Sequence, residues 1–548
     1  MANGNTEDSA SKNTNKNDFL PWLCLACSAP LICLLFELWH YPRLISPGLG
    51  MRIMAANLLI KGELPYYDFW DWSQPIVFEL LKYPYLLCTT LQTMLVPITH
   101  ALFIPLFILA LLVGSTALAA VIGLEFLKIK GNDDKDEGEN FVSSCLLALV
   151  LTALITRFDF GDLQLCLLLT MVPWLVLRWF THKGLKVSPA LSLFTGIIAA
   201  IGACLDLPYL GVFVVLELVM VLLSGRWRCL LSSDCLGFVI TFATNLLVLS
   251  QLPEPIYTAF WKWTMPLKWL NYSVFDGMIY APQACPNRAD VLYCLVTAGI
   301  LSFLLGKKYD AYVTLSCLMF AGFALYLLEG QGSSHDLILT IFAITAIFTS
   351  VLLRLIKKVN YQPLLLILTL VSTAAIWQSL EHDRAQLQQS IIVNCSKGKE
   401  QFETLLEQSS KVGDSVSVIS RNIEPAYPLL FLADRKPGSY LLWGRPLWLF
   451  AWLKDNSQLQ GPMKDFYDHT YNNIRTELEQ NKTKVVIISN PEPFDRLEHE
   501  QYLRALELNY NDLEKDGNFF SYENHQPHEY SGYNFAYRFL ARQREPGK

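Results

Sequence analysis

From residue 19 to residue 379 long apolar runs alternate with short polar connections, the pattern of a chain threaded repeatedly through a bilayer. Windows of roughly 20 residues find spans at 19–39, 97–127, 141–157, 163–180, 188–205, 208–224, 235–252, 290–306, 311–328, 336–356 and 361–379, about eleven in all. The stretch 76–94, IVFELLKYPYLLCTTLQTM, competes as a further span. Glu79, Lys82 and Pro84 are each costly at the bilayer centre, so it reads as an interfacial helix in the headgroup layer. Within the long first loop, 40–96, residues 48–62 carry Met51, Met54, Ala55, Leu58 and Leu59 at helical spacing and end at Gly62, a helix with a glycine stop.

After residue 380 charge density rises and the pattern turns to short alternating strands, 415–420, 484–489 and 535–541, separated by helical stretches at 397–410 and 470–480. This predicts a soluble α/β domain over 380–548, following a membrane domain over 19–379 and a disordered cytoplasmic tail over 1–18. The acidic insert GNDDKDEGEN (131–140) reads as a solvated cytoplasmic loop.

Lysines and arginines set the orientation, because short cytoplasmic loops retain positive charge. Lys128 and Lys130, Lys183 and Lys186, Arg226 and Arg228, Lys307 and Lys308, and Arg354 with Lys357 and Lys358 occupy every second loop. Those loops are expected in the cytoplasm. The first loop, RFDFGD (157–162), LDLPY (205–209), the 253–289 loop, EGQGSSHD (329–336) and the C-terminal domain then face outward. Composition agrees with a multi-pass membrane protein: 52% of residues are hydrophobic and 17% charged. A formal net charge of -6 leaves no basic stripe for nucleic acid, which is excluded as a partner. Most of the 13 cysteines lie in apolar runs, where a thiol acts as a small hydrophobe rather than as a metal ligand.

Candidate chemistry gathers in the outward loops. PYYDFWDWSQP offers Asp68 or Asp71 as a general base or a divalent-metal ligand, with Tyr66, Tyr67 and Trp70 to stack on sugar faces and Gln74 to hydrogen-bond them. The competing reading makes the aromatics an interfacial belt and the aspartates turn caps. Arg157, Asp159 and Asp162 stand where two spans meet water, a placement that suits an acid–base pair with an arginine facing phosphate. Asp162 is equally placed to cap the next helix. Gln331 and His335 sit in a short late turn, and Lys262 and Lys268 lie among tryptophans at headgroup level, as phosphate ligands or as snorkelling anchors.

The first loop reads A-x-x-L-x-x-G-x-x-P-Y-x-D through Ala56, Leu59, Gly62, Pro65, Tyr66 and Asp68, followed by Pro75 and an interfacial helix. This resembles the polyprenyl-phosphate-sugar-dependent membrane glycosyltransferases of the GT-C fold, such as the protein O-mannosyltransferases and aminoarabinose transferases. The resemblance implies a polyprenyl-phosphate-sugar donor and transfer to a lipid, glycan or protein acceptor at the outer face. It also implies a place in cell-envelope glycan biosynthesis at a bacterial plasma membrane. In that family the loop opens with an acidic residue shortly after the first span, whereas Leu44 to Gly48 carry none. Either Asp68, Asp71, Asp159 or Asp162 supplies the base, or the chain binds lipid-linked glycan without turning it over. No motif requires a metal.

A sugar phosphate ester leaves as a phosphate monoester, so the site needs cations at the leaving group and a carboxylate opposite. The assignment is Asp68 or Asp162 as base and Arg157 with Lys262 or Lys268 as clamp, with inversion at the anomeric carbon. The rival class, a flippase of lipid-linked sugars, calls for ionisable residues or broken helices at the midplane and an internal duplication, and the sequence shows neither. The orientation is directly testable. A reporter fused after residue 548 should be active outside the cytoplasm and one inserted at Asp133 inside it; the opposite pattern would put every candidate cluster on the wrong face.

Overall fold

The computed structural model describes residues 19–40, 45–94, 98–127, 132–185, 187–273, 288–306, 310–329, 337–359, 363–378, 406–407, 409–419, 423, 426–438, 440–479, 483–492, 519–530 and 533–542. Helices dominate the first part: α1 (Phe19–His40), α2 (Pro47–Ile60), α3 (Pro75–Thr93), α4 (His100–Leu127), α5 (Asn132–Ile155), α6 (Leu163–His182), α7 (Pro189–Leu205), α8 (Leu207–Ser224) and α9 (Ser233–Ser250). They continue with α10 (Glu254–Thr258), a π-helical turn (Ala259–Thr264), α11 (Met265–Ser273), α12 (Arg288–Gly306), α13 (Asp310–Glu329), α14 (Ile338–Val359) and α15 (Pro363–Gln378).

Eight of these helices are long and apolar enough to cross a membrane, as a multi-pass membrane protein requires. The count among the described residues is therefore eight where about eleven spans are expected. The remaining three expected spans fall on the shorter apolar stretches Pro189–Leu205, Leu295–Leu305 and Pro363–Gln378. α3 buries only Val77, Phe78, Pro84 and Cys88 and leaves Leu80, Tyr83, Leu86 and Leu87 exposed.

The acidic insert is not a loop, because α5 already begins at Asn132. Its acids have cations to meet: Glu137 approaches Lys183 at 3.8 Å and Glu139 approaches Lys357 at 3.2 Å. Asn140 is buried and donates to Ser350 Oγ of α14 at 2.6 Å.

α6 is the spine of the bundle. At its C-terminal end Arg178 is wholly buried and binds Glu217 of α8 through two nitrogens, one of them Nε at 2.7 Å. The same guanidinium donates to Asp234 of α9 at 2.9 Å and to Ser232 Oγ at 2.8 Å, so three helices are tied at one charge. α7 and α9 cross with backbones nearly touching, and a Cβ at Gly196 would lie 2.0 Å from the Asp234 carbonyl oxygen.

The C-terminal part has α16 (Ala426–Leu432), α17 (Arg445–Asp455) and α18 (Pro462–Glu479) around a mixed sheet of β1 (Ser415–Ile419), β2 (Lys436–Pro437), β3 (Thr483–Glu492), β4 (Phe519–Tyr530) and β5 (Tyr533–Arg542). The sheet order is β2-β1-β3-β5-β4, with β1 parallel to both neighbours and β5 antiparallel to β3 and β4. Parallel pairing requires a crossover, and the segment from β1 to β3 that carries α16, α17 and α18 supplies it. α16 packs on α2, so this part is docked against the loop between α1 and α4.

The glycine crossing yields a stability prediction. Gly196→Ala should overpack α7 against α9 and cost about 1–3 kcal/mol, read as a lower Tm of the detergent-purified protein, whereas Gly211→Ala, with open space at its Cβ, should leave it unchanged.

Candidate active site

α2 lies in the loop that follows α1, and its start is specified locally. Ser46 accepts from Leu49 N at 3.1 Å, Pro47 occupies the first turn, and Gly62 follows the helix at φ 89°. This presents Arg52 inward, where it is buried. Arg52 donates through Nε to Ser73 Oγ at 3.1 Å and approaches Asp162 Oδ2 through Nη1 at 3.4 Å. Room for that pair comes from Gly48, since a Cβ there would stand 2.8 Å from Asp162 Oδ2 and 3.0 Å from Arg52 Nη1. Burial pulls the guanidinium pKa down, but Asp162, Asp71 and Tyr209 more than offset it and hold Arg52 above its ordinary value.

The two aspartates of PYYDFWDWSQP have different fates. Asp68 is exposed and accepts from Leu64 N at 2.7 Å, the turn cap that was the competing reading. Asp71 is wholly buried; its Oδ2 accepts from Ser73 N at 3.3 Å, while its Oδ1 has no hydrogen-bond partner among the described residues. A buried carboxylate oxygen with nothing to accept is costly, and such groups mark places where a ligand or a proton is handled. Beside it, Tyr66 donates to Ser73 O at 2.5 Å. Burial raises the Tyr66 phenol well above its usual range, and the negative charges of Asp71 and Asp206 raise it further, so the hydroxyl stays a donor.

Lys268 completes the cluster. Its ammonium holds both oxygens of Asp206 at 2.7 Å and points toward Trp72 O at 3.5 Å. Asp206 stands in extended conformation between α7 and α8, and the π-helical turn Ala259–Thr264 brings α11 to it. Gln74 is buried with its amide 3.9 Å from Met265 Sδ. Neither Arg52 nor Asp206 stood out in sequence, although a lone ionisable residue in an apolar helix and a lone acid between two spans both call for a partner.

The other expected site residues fall elsewhere. Arg157 has no exposed surface and pairs with Glu37 of α1 at 3.4 Å, a placement that ties the 157–162 turn to α1 rather than presenting a guanidinium to phosphate. Asp159 is half-buried in that turn, and Asp162 stands at the α6 N-cap without a side-chain cap bond, turned instead to Arg52. Lys262 is exposed on the π-helical turn. Gln331 and His335 lie outside the described residues.

The aromatic platform is instead an interface. Tyr66 and Trp70 have no exposed surface. Tyr66 packs against Phe78 and Phe260, Trp70 against Trp72 and Phe466, and the Trp70 indole donates to Thr264 Oγ1 at 3.0 Å. Their ring faces are thus taken by protein rather than open to sugar. Trp70 N donates to Tyr440 O at 2.7 Å and Leu442 N to Trp70 O at 3.1 Å, a strand-like clasp between the first loop and the C-terminal part. Tyr440 Oη adds a bond to Tyr66 O at 2.7 Å, and Arg445 Nε one to Asn271 Oδ1 at 3.0 Å. Tyr67 alone of the three stays exposed, beside His469. Among the described residues no group of three or more His, Cys, Asp or Glu side chains is arranged to hold a metal ion.

No protein-family model matches the chain. No curated protein matches it either. Among solved structures it is similar to the Archaeoglobus fulgidus oligosaccharyltransferase, crystallised with a disulfide-tethered acceptor peptide containing the NVT sequon. The TM-score is 0.45 at 12% identity, over 92% of this chain and 72% of that one.

The Arg157–Glu37 pair makes its own prediction. Glu37→Gln should remove a carboxylate from the buried guanidinium and lower the Tm, read by thermal unfolding in detergent. Arg157→Met combined with Glu37→Leu should recover much of that loss; equal losses in single and double variants would show that the two charges do not stabilise each other.

Proposed function

We propose that the chain is a membrane glycosyltransferase of the GT-C type that moves a sugar from a polyprenyl-phosphate donor to an acceptor at the extracytoplasmic face of a bacterial plasma membrane. The observation that carries this is the unpartnered Oδ1 of buried Asp71, set in a loop of the family's pattern and close to two buried cations. Asp71 takes the proton of the acceptor hydroxyl as the acceptor oxygen bonds to the anomeric carbon. The bond from that carbon to the phosphate oxygen breaks, the electron pair leaves with the lipid phosphate, and the configuration inverts.

The positive charge needed at the leaving phosphate comes from Arg52 and Lys268, which Asp162 and Asp206 hold in place. A guanidinium suits this role because its planar fork can grip two phosphate oxygens, which an ammonium cannot reproduce. Asp68 becomes structural, and Tyr67 and His469 at the exposed edge of the clasp are the surface offered to the acceptor.

A second reading, a lipid-glycan binder without transfer activity, is favoured by the absence of an acidic residue in Leu44 to Gly48. One experiment separates the two. With membranes and a radiolabelled polyprenyl-phosphate hexose, Asp71→Asn should reduce transfer by about 10²-fold or more, the scale of a lost general base, while Asp68→Asn, which can still cap its turn, stays within a few-fold of wild type. Absence of transfer by the wild-type chain with retained donor binding supports the binder, and normal transfer by Asp71→Asn removes this aspartate from the mechanism.

A further inference from the structure

The opposite end of α6 carries a second polar recess that the proposed transfer does not use. It measures about 310 Å³ and is lined by Trp179, His182, Lys183, Ser224, Arg226 and Asp310, among others, where α6 and α8 end and α13 begins. We propose that this recess binds the phosphodiester headgroup of an anionic membrane lipid.

The polar side chains of the wall are placed by neighbours. His182 is held by Ser224 Oγ at 2.9 Å and Glu217 Oε1 at 3.0 Å. Lys183 lies over the Trp179 ring and bonds Asp310 at 2.7 Å, with Glu137 at 3.8 Å. Arg226 is different: it is exposed, and its guanidinium makes no ion pair among the described residues. It is nevertheless seated, because it crosses Gly184, where φ is 86° and a Cβ would stand 1.9 Å from Arg226 Nη1. Only glycine combines that backbone conformation with that clearance.

Lys183 is already met by Asp310 and Glu137, so the cation left to face an anion here is Arg226, whose guanidinium has no ion pair among the described residues and complements the single negative charge of a phosphodiester. The surroundings are those of a lipid rather than a soluble anion. Leu222 and the short turn Trp227–Leu231 are apolar and exposed beside Arg226, with Trp227 60% and Leu231 88% accessible, as expected at the depth of headgroups and upper acyl chains. A basic side chain at that depth strengthens attraction to anionic lipid.

Native mass spectrometry of the delipidated full-length protein tests this with phosphatidylglycerol, phosphatidylcholine and inorganic phosphate as probes. The wild type should retain phosphatidylglycerol over phosphatidylcholine, and Arg226→Ala should lower phosphatidylglycerol occupancy about fivefold. Gly184→Ala, which removes no charge but evicts the guanidinium from its seat, should lower it in the same direction. Because Arg226 is exposed, Arg226→Ala should keep the wild-type Tm. Equal retention of the two lipids, or unchanged retention in Arg226→Ala, would overturn the proposal. Displacement of phosphatidylglycerol by equimolar inorganic phosphate would assign the recess to a soluble anion and overturn the lipid.

Discussion

A charge enclosed by apolar helices is tolerable only when an opposite charge is built into reach, and much of this molecule's polar architecture follows from that rule. Arg178 recruits Glu217 and Asp234, Arg157 recruits Glu37, Arg52 recruits Asp162, and Lys268 recruits Asp206. Each pair joins elements far apart in the chain. The pairs are weak sources of net stability against an apolar alternative, since desolvation consumes most of the attraction. What they contribute is specificity: a slipped helix would strand a bare charge, so the register of α1, α6, α8 and α9 is set by their ionisable residues. The smooth apolar surface could not do this alone.

The same rule makes Asp71 unusual. Asp162 and Asp206 each meet a cation, whereas one oxygen of Asp71 has no hydrogen-bond partner among the described residues although it is equally buried. The clasp between the first loop and the C-terminal part keeps it there. Trp70 exchanges backbone hydrogen bonds with Tyr440 and Leu442, and Tyr66 sits at φ 65°, a conformation disfavoured for a residue with a side chain. The strained turn at Tyr66 turns Asp68 outward to cap Leu64, while the clasp at Trp70 carries Asp71 inward. Placing the C-terminal part against the loop therefore shapes the site directly, beyond any role in handling an acceptor.

How much was legible in sequence follows from the range of the interactions. Apolar runs and the glycine after α2 are local signals, and the helices stand close to where periodicity puts them. The strands at 415–420, 484–489 and 535–541 likewise meet Ser415–Ile419, Thr483–Glu492 and Tyr533–Arg542. The acidic insert misled because an acidic stretch reads as solvated until Lys183 and Lys357 are brought beside it. Asp68 and Asp71 share one motif, and nothing local distinguishes the cap from the buried acid. The aromatic residues were read as a sugar platform because their partners, Tyr440, Phe466 and Thr264, lie hundreds of residues away and no local pattern announces them. Arg52 was hidden by its helix, whose apolar spacing drew attention to Met51 and Met54 instead.

α6 connects the two ends of this arrangement. Its N-cap, Asp162, holds the guanidinium proposed to face the leaving phosphate, and its last turns carry Arg178, His182 and the approach to Lys183. The helix is buried along almost its whole length, with Pro173 near its middle. A headgroup seated at the Lys183–Arg226 recess would touch one end of the helix whose other end positions Asp162 against Arg52. That shared helix distinguishes the recess from the other basic connection nearby: Arg228 stands exposed on the neighbouring short turn, whereas Lys183 directly follows α6.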